Sequence, residues 1–517
     1  MSDSRLKALL DPSSYPDPTL SVRHIQTHIS HIFITDNFVY KIKKAVDFGF
    51  LDFTTLEKRC FFCNEELRLN RRLSPDIYVA VLPLFDDGNG GLLFTGTGEP
   101  VEYAVKMLRL PEERMMSRLL DEGKVTDTHI EKLAKIVSEF HKNAETGKEI
   151  SSFGTIESIR NNWQENFSGV ARYIGRTISE SDYSLIFRLV DQFIESHIGV
   201  FTQRVDQGFI RDCDGDLHSE NICLDDKVHI FDCIEFSDKF RYSDTAADVA
   251  FLAMDLENHG RLDLSHLFMS KYVAFSGDSG LLAVLPLYLA NRALIRGKVA
   301  SLCLDDQGID EESRQAAAVR AGRYFRLARG YLLRQGLSKI LFITSGPTGC
   351  GKSTLASEFC FQMGIRHVSS DLERKRLANI GETERGADIY GDELNRATYD
   401  RLTEIAVDEL SQGRSVLVDA TFRTQRIRER FGMIAADFSA EFVIIRPVCS
   451  DERARRNIEA RQTSKISASD GTWAVYQAQI ADYEPPAAEE GRVIQLDAGA
   501  DVTAMLHSLL DEVGLPG

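Results

Sequence analysis

The pattern of hydrophobic and polar positions in the first part of the chain predicts a small antiparallel sheet that carries one helix. Residues 53–73 have helical spacing, and Pro75 ends this segment. Around them, short apolar runs have the character of strands, and Asp36 and Asn37 separate the first two as the turn of a hairpin. These runs are residues 30–35, 38–43, 78–85, 92–95 and 102–108. We therefore predict one sheet with one helix over residues 20–110.

The middle of the chain has the periodicity of amphipathic helices. It begins at Pro111 and is clearest over residues 130–141 and 185–201. A loop rich in Asp and His follows, after which helical spacing returns. These later helices are predicted over residues 244–275, 282–303 and 310–337. We take residues 1–309 as an N-terminal domain and the charged helix 310–337 as its connection to the rest of the chain.

From residue 338 onward, short apolar strands alternate with helical segments. The strands are predicted at residues 340–343, 367–369, 415–419, 441–448 and 492–496. Such alternation is typical of a doubly wound α/β domain, in which ligands bind at the carboxyl ends of the strands. The expected fold class is therefore α+β for the N-terminal domain and α/β for residues 338–517.

One segment of the C-terminal domain combines a strand, a phosphate-binding loop and the start of a helix. After the strand 340–343, the sequence satisfies G-x-x-x-x-G-K-[ST] at every fixed position, which is the P-loop pattern. The glycines let backbone N–H groups turn toward an anion, Lys352 reaches the β/γ-phosphates, and Ser353 offers a hydroxyl to Mg²⁺. We expect ATP and Mg²⁺ here. The predicted nucleotide-binding residues are Gly346, Pro347, Thr348, Gly349, Cys350, Gly351, Lys352, Ser353 and Thr354.

A second group of polar residues lies in the N-terminal domain. The loop 211–221, RDCDGDLHSEN, and the strand 228–232, VHIFD, place Asp216, Asn221 and Asp232 in one short loop-strand unit. Kinase-type phosphoryl transfer needs a carboxylate that orients a hydroxyl, and an amide and a second carboxylate that hold Mg²⁺. The spacing therefore predicts a second phosphotransfer site.

The segment G-D-L-H-x-x-N, followed by an Asp on the next strand, resembles the aminoglycoside phosphotransferase branch of the protein-kinase-like fold. The resemblance covers roughly residues 20–300 and implies a two-lobed N-terminal domain. It implies that Asp216 is the catalytic base and that Asn221 and Asp232 are the Mg²⁺ ligands.

The same resemblance assigns roles outside that loop. Lys41 stands at the position of the family's phosphate-binding lysine, and Lys43 faces the same way two residues later. Glu66 would be the helix partner of Lys41 and part of the nucleotide site. Asp248 matches a buried Asp that braces the catalytic loop, whereas Asp214 stands where the family usually has His.

Two strands of the C-terminal domain end beside carboxylates. Asp371 and Arg374 follow the strand 367–369, and Asp419 ends the strand 415–419. A carboxylate at a strand tip beside the P-loop faces the γ-phosphate, so we expect Asp371 to be catalytic and Asp419 to bind the metal or the acceptor. The segment S-D-x-x-R resembles P-loop kinases of small molecules and of polynucleotide 5′-hydroxyls, and zeta-toxin-like sugar-nucleotide kinases. In those families the Asp orients the acceptor hydroxyl and the Arg binds acceptor phosphate.

Arginines near the end of the domain resemble the lid of such kinases. Arg453, Arg456 and Arg461 have helical spacing before a Ser-rich loop, and guanidinium groups can neutralise charge on the transferring phosphoryl. Outward-facing salt bridges are the alternative for the same pattern. Of the three, Arg456 is the predicted catalytic residue. Together the two halves resemble bacterial two-domain proteins that join an aminoglycoside phosphotransferase-like domain to an AAA-type P-loop kinase.

Composition limits the other possibilities. The net charge of −17 disfavours a general electrostatic grip on nucleic acid, and no apolar run is long enough for a membrane span, so we expect a cytoplasmic protein. The expected function is ATP-dependent transfer of a phosphoryl group to a hydroxyl of a small molecule or nucleotide-like acceptor, with two nucleotide sites. Two alternatives stay open: a regulatory ATPase, and a kinase of 5′-hydroxyl nucleic-acid ends. The latter would contact a strand through Arg374, Lys375, Arg376, Arg423, Arg426 and Arg428.

Overall fold

A computed structural model describes residues 3–88, 91–96, 98–306, 308–381, 391–463 and 471–516. The chain divides into two units, Met1–Tyr324 and Phe325–Gly517. The division falls inside the helix Glu311–Leu333, which occupies most of the segment predicted as a connection. Among the described residues, no helix has both the length and the apolar character needed to cross a membrane.

The N-terminal unit contains a six-stranded antiparallel sheet and two separate strand pairs. The large sheet has the order β1-β2-β3-β6-β4-β5, and the pairs are β7 with β10 and β8 with β9. The strands are β1 Arg23–Gln26, β2 Ser30–Ile34, β3 Phe38–Lys43, β4 Tyr78–Asp86, β5 Leu92–Leu93, β6 Glu102–Leu108, β7 Ile210–Asp212, β8 Ile222–Leu224, β9 Val228–Ile230 and β10 Tyr242–Asp244. The predicted hairpin is confirmed, because β2 and β3 pair antiparallel.

Helices make up most of the remainder of this unit. They are α1 Asp3–Ala8, α2 Leu56–Asn70, α3 Met116–Asp121, α4 Asp127–Asn143, α5 Lys148–Ser151, α6 Ile156–Ala171, α7 Glu180–Asp206, α8 Asp238–Arg241, α9 Thr245–Asn258, α10 Leu262–Ser276 and α11 Leu281–Leu302. The helix α12, Glu311–Leu333, contains the division between the two units. The helix predicted to begin at Phe53 begins at Leu56 instead, because Thr55 caps it by accepting a hydrogen bond from the Lys58 N–H. Phe53 is buried in the preceding loop.

The C-terminal unit is built on a five-stranded sheet of order β12-β13-β11-β14-β15, and every pairing in it is parallel. Its strands are β11 Ile340–Thr344, β12 Arg366–Ser369, β13 Val416–Asp419, β14 Glu441–Val448 and β15 Arg492–Asp497. Its helices are α13 Lys352–Met363, α14 Ser370–Leu377, α15 Asp392–Ser411, α16 Gln425–Asp437, α17 Asp451–Thr463, α18 Trp473–Ala481 and α19 Val502–Glu512. The predicted alternation of strands and helices is confirmed.

The position of β11 explains where ligands can bind in this unit. β11 is central and fully buried, and it pairs with β13 on one side and with β14 on the other. After β13 the chain crosses to the other side of β11 and forms β14 there. This reversal makes β11 a switch point of the kind at which α/β sheets bind ligands. The loop after β11 therefore opens at the carboxyl end of the sheet.

Candidate functional site

The P-loop of the C-terminal unit lies between the end of β11 at Thr344 and the start of α13 at Lys352. Gly349 and Gly351 have φ angles of +86° and +81°, in the left-handed region that favours glycine. A Cβ at Gly349 would lie 2.9 Å from the Ala454 carbonyl oxygen. Backbone conformation therefore favours glycine at both positions, and the close approach of α17 also requires it at Gly349.

Lys352 is buried at the base of this loop, and its Nζ donates a hydrogen bond of 2.7 Å to the Pro347 carbonyl oxygen. Burial lowers the pKa of Lys352 below its ordinary value, and the positive charge of Arg461 adds to that effect. The carboxylates of Asp419 and Asp371 act in the opposite direction. A lysine whose charge is incompletely compensated by its surroundings is suited to bind an anion.

Asp419 and Ser353 lie next to each other under the loop. Burial alone would raise the pKa of Asp419, but His367, Lys352 and a hydrogen bond from Ser353 hold it below its ordinary value. Thr344 Oγ1 also donates to Asp419 Oδ1 at 2.8 Å. A hydroxyl and an ionised carboxylate are the oxygen donors that Mg²⁺ prefers, so the residues present fit the predicted ion.

The P-loop opens into a cavity of about 1070 Å³. The predicted residues Lys352, Ser353, Asp371, Arg374 and Asp419 all line it, so the structure brings them to one place. Among the described residues the lining contains seven basic and four acidic side chains, although the chain as a whole is acidic. The basic ones are Lys352, Arg374, Arg396, Arg423, Arg426, Arg430 and Arg461.

Of the three arginines predicted as a lid, Arg461 lines this cavity. Arg456 is exposed on α17 and is absent from the cavity lining, whereas Arg461 belongs to it. Ala454 and Ile458 are buried on the face of α17 toward the P-loop, and Arg461 continues that face because it is three residues after Ile458. The Ser-rich loop predicted after Arg461 lies at 464–470, outside the described residues.

Two of the basic residues assigned to a nucleic-acid strand are unavailable for that role. Arg428 is fully buried, and its Nε and Nη2 lie 2.7 Å and 2.9 Å from the carboxylate oxygens of Glu490. Lys375 is also buried. Their side chains face the interior of the unit, so the basic strip seen in the sequence is shorter at the surface than its spacing indicates.

The N-terminal unit has a separate cluster of charged residues around Lys41. Lys41 Nζ lies 2.6 Å from Asp232 Oδ1 and 2.9 Å from Glu66 Oε1. Burial by itself lowers the pKa of Lys41, but these two carboxylates outweigh it and raise the pKa above its ordinary value. The predicted lysine, its helix partner and the second carboxylate are therefore together. The strand predicted over residues 228–232 is shorter in the structure, because β9 ends at Ile230. Asp232 lies beyond it and has a left-handed φ of 65°.

A second ion pair beside Lys41 was not predicted from the sequence. Lys43 Nζ lies 2.7 Å from Glu66 Oε2 and also pairs with Glu235, and all three side chains are buried. Glu66 thus joins two lysines of the same strand. The signal in the sequence was the repeat of Lys at positions 41 and 43, but nothing near them in sequence identifies Glu235 as a partner.

The loop that carries Asp216 is held by hydrogen bonds from within the unit. Asn221 Nδ2 donates to Asp216 Oδ2 at 2.9 Å. Burial would raise the pKa of Asp216, but the hydrogen bond and charge of His218 hold it below its ordinary value. Asp248 accepts hydrogen bonds from the backbone N–H groups of Asp214 and Gly215 at 3.2 Å and 2.8 Å. Asp248 therefore braces the loop.

Asp214, at the position where the resemblance expects His, is buried beside Asp248. Burial and then repulsion by Asp248 and Asp216 raise the pKa of Asp214 well above its ordinary value. Arg292 donates to the carbonyl oxygens of Gly215 and Ala247, so its guanidinium supports the same loop. The loop is thus fixed from the interior.

Comparison with known proteins adds the following. A family model described as an AAA domain matches residues 341–486, which places a P-loop domain of AAA type in the C-terminal unit. Uncharacterized proteins of Mycobacterium tuberculosis (strain ATCC 25618 / H37Rv) and Mycobacterium bovis (strain ATCC BAA-935 / AF2122/97) are each 30% identical to the chain over 480 residues. The alignments cover 90% of this chain and 91% of each relative.

Two solved structures each match about a third of the chain. A gluconokinase from Sinorhizobium meliloti 1021 is 16% identical and has a TM-score of 0.26, over 34% of this chain and 91% of that chain. Kti12 of Chaetomium thermophilum in complex with ADP-AlF3 is 15% identical and has a TM-score of 0.27, over 34% of this chain and 98% of that chain. At these scores the likeness says nothing about activity.

Proposed function

The chain belongs to the same family as these mycobacterial proteins, and we propose that it is an ATP-dependent phosphotransferase. Its C-terminal unit transfers the γ-phosphoryl group of ATP to a hydroxyl of a small-molecule or nucleotide-like acceptor. The observation that carries the proposal is that the P-loop lysine, the pair of Ser353 and Asp419, and Asp371 line one cavity. A site for ATP alone would not need a carboxylate in the position of Asp371.

Each residue has a part in the transfer. Backbone N–H groups of the P-loop bind the phosphates, and Lys352 and Arg461 offset the negative charge that develops on the transferring group. Ser353 and Asp419 would hold Mg²⁺, which neutralises phosphate charge when it is bound. Asp371 orients the acceptor hydroxyl and accepts its proton as the oxygen attacks phosphorus. The bond from phosphorus to the bridging oxygen of ADP breaks in the same step.

The basic lining of the cavity favours an acceptor that is itself negatively charged. Arg374, Arg396, Arg426 and Arg430 come from α14, α15 and α16, although Arg374 pairs with Asp371 and Arg430 with Asp400. A nucleotide-like acceptor fits this surface better than a neutral or cationic one. A long nucleic-acid strand fits less well, because Lys375 and Arg428 are buried and the chain is acidic.

The N-terminal unit is proposed as a second nucleotide site of the protein-kinase-like type. Lys41, Glu66 and Asp232 form one ion-paired group, and the amide of Asn221 lies against Asp216. In that arrangement Lys41 would hold the phosphates of ATP, Asn221 and Asp232 would hold Mg²⁺, and Asp216 would orient a hydroxyl.

The test is transfer of label from γ-labelled ATP, with Mg²⁺, to pooled nucleosides, nucleotides, sugars, aminoglycosides and 5′-hydroxyl oligonucleotides. Wild type is compared with Lys352→Ala, Asp216→Ala and the double variant. Labelled acceptor that disappears only in Lys352→Ala assigns the activity to the C-terminal unit. Labelled acceptor that disappears only in Asp216→Ala assigns the activity to the N-terminal unit. Two labelled products, one lost in Lys352→Ala and the other in Asp216→Ala, support two active sites.

Two outcomes contradict the proposal. Phosphate release that is abolished by Lys352→Ala, with no labelled acceptor in any pool, would favour a regulatory ATPase. Label found only on 5′-hydroxyl oligonucleotides, with binding that weakens steeply as salt increases, would favour a nucleic-acid end kinase.

A further inference from the structure

Two cysteines of the C-terminal unit are in contact at the P-loop, and phosphoryl transfer makes no use of their thiols. Cys350 belongs to the P-loop, two residues before α13 begins, and Cys449 directly follows β14. Cys449 packs against the buried cluster that contains Cys350, its thiol is within hydrogen-bonding reach of the Cys350 sulfur, and both cysteines are free. Parallel pairing of β11 with β14 brings the ends of the two strands to the same edge of the sheet, which explains the contact.

The surroundings make Cys350 unlike the other buried cysteines. It packs against Ala454, Ile458 and Tyr476, and it precedes a helix N-terminus and Lys352, which both favour a thiolate. The hydrogen bond with Cys449 and then the charge of Lys352 lower the pKa of Cys350 to about 7, although burial opposes the change. By contrast, burial raises the pKa of Cys360, which lies on α13, the helix that follows Cys350.

Access to this pair is through Cys449. Cys350 is only 4% exposed, whereas Cys449 is half-buried. A small oxidant can therefore reach Cys449. Once Cys449 is oxidised, the neighbouring sulfur of Cys350 is in place to attack the oxidised sulfur. Transient disulfides of this kind are the form that redox sensing takes in reducing compartments.

We propose that Cys350 and Cys449 are a modification site at which peroxide forms a reversible disulfide that closes the C-terminal nucleotide site. The pair holds one proton, on Cys449, because the hydrogen bond with Cys350 raises the pKa of Cys449 above its ordinary value. In the first step the sulfur of Cys449 attacks an oxygen of hydrogen peroxide as its proton passes to Cys350, the O–O bond breaks, and sulfenic acid and hydroxide form. In the second step the sulfur of Cys350 attacks that sulfur, the S–O bond breaks, and the hydroxyl group leaves with the proton of Cys350 as water. The released hydroxide takes up a proton from solvent, and a dithiol reductant restores both thiols.

Closure of the site follows from the length of the new bond. An S–S bond of about 2.05 Å is much shorter than the contact between two unbonded sulfurs, so its formation pulls the P-loop toward the start of α17. Asn457 Nδ2 already holds the loop there by donating to the Gly349 carbonyl oxygen at 2.8 Å. Displacement of a phosphate-binding backbone by about 1 Å is enough to cost about a hundredfold in activity.

The experiment treats the full chain with hydrogen peroxide, blocks the remaining thiols, and maps the disulfides by mass spectrometry. Binding of a fluorescent ATP analogue is measured before oxidation, after it, and after dithiothreitol. We expect a Cys350–Cys449 linkage in wild type, ATP binding weakened about tenfold or more, and recovery on reduction. Cys449→Ser is expected to keep its binding through the same treatment, and Cys303→Ser, whose thiol is half-buried in the N-terminal unit, to lose it as wild type does.

Two results would overturn the inference. One is the absence of the linkage under peroxide doses that oxidise other cysteines. The other is equal loss of ATP binding in wild type and Cys449→Ser. The inference rests on the proposed function only in naming the activity that oxidation would regulate. The Cys350–Cys449 disulfide and ATP binding are both measured without an acceptor. Failure to find an acceptor would therefore count against the proposed function and leave this test intact.

Discussion

Arg374 Nη1 lies 3.0 Å from Asp371 Oδ1, so the proposed catalytic carboxylate is held by a guanidinium one helical turn later on α14. This pairing fixes the direction in which the carboxylate points. Asp371→Asn keeps the shape of the side chain but removes the group that accepts the proton. We expect kcat for transfer to fall by about 10²–10⁴, with ATP binding nearly unchanged, as measured by steady-state kinetics and by nucleotide titration.

Asp392→Asn is the matched control for this variant. Asp392 lines the same cavity and begins α15, but it does not follow a strand end beside the P-loop. A fall in kcat of less than about tenfold is expected. If kcat fell equally in the two variants, Asp371 would act only through its negative charge in the cavity and not as the group that accepts the proton.

The parts of the fold and site that follow from the sequence are those written in local patterns. The P-loop is identifiable because its fixed residues fall within eight positions after an apolar strand. The common location of Asp371 and Asp419 could be predicted because Asp371 comes just after β12 and Asp419 is the last residue of β13, and the ends of parallel strands meet at one edge. The alternation of strands and helices along the sequence therefore indicates which side chains meet in the C-terminal site.

The parts that could not be predicted depend on partners far away in sequence. Glu235 pairs with Lys43 across 192 positions, and Arg428 is buried because Glu490 accepts its hydrogen bonds. Helical spacing alone also does not reveal which face of α17 meets the P-loop, so it could not show that Arg461 lines the cavity and Arg456 does not. Charge counts along the chain describe composition, whereas burial is decided by tertiary packing.

The burial of Arg428 leads to a test of stability. Arg428→Ala would leave the buried carboxylate of Glu490 without its partner and free two backbone acceptors, the carbonyl oxygens of Phe422 and Glu484. We expect a loss of about 3–5 kcal/mol in the free energy of unfolding, measured by pulse proteolysis of the C-terminal unit in urea.

Arg426→Ala provides the comparison, because Arg426 is exposed two residues earlier on the same helix. Its substitution should change the free energy of unfolding by less than about 0.5 kcal/mol. A similar loss in both variants would mean that the buried ion pair contributes no more to stability than the exposed side chain of Arg426 does.

His31 is the basis of a prediction about pH. It is buried on β2 with Nδ1 3.1 Å from His24 Nε2, and burial, followed by the charges of Lys44 and His24, lowers its pKa from 6.5 to about 4. The unfolded chain therefore binds a proton at a higher pH than the folded chain. Stability contributed by neutral His31 is present above pH 6.5 and is lost as pH falls toward 4.

The measurement is amide hydrogen exchange in peptides that cover β2 and β3, corrected for the intrinsic effect of pH. Protection should fall between pH 6.5 and pH 4 in wild type, and the change should be smaller in His31→Gln. His28→Gln, at an exposed position, should follow wild type. A slope that is the same in His31→Gln and wild type would assign the pH effect to other groups.

Gly349 gives a test of the P-loop itself, with Gly413 as its control. Both have left-handed φ angles, +86° and +77°, so Ala at either position should cost about 1–2 kcal/mol of stability. Only at Gly349 would the new Cβ meet other atoms, the Ala454 carbonyl oxygen at 2.9 Å and the Ile458 side chain at 3.0 Å, whereas nothing lies within 4 Å of it at Gly413. Gly349→Ala should therefore also weaken ATP binding by about tenfold or more, because the loop must move away from α17. Equal ATP affinity in Gly349→Ala and Gly413→Ala, measured by titration calorimetry, would show that the loop can accommodate the added methyl group without a change at the phosphates.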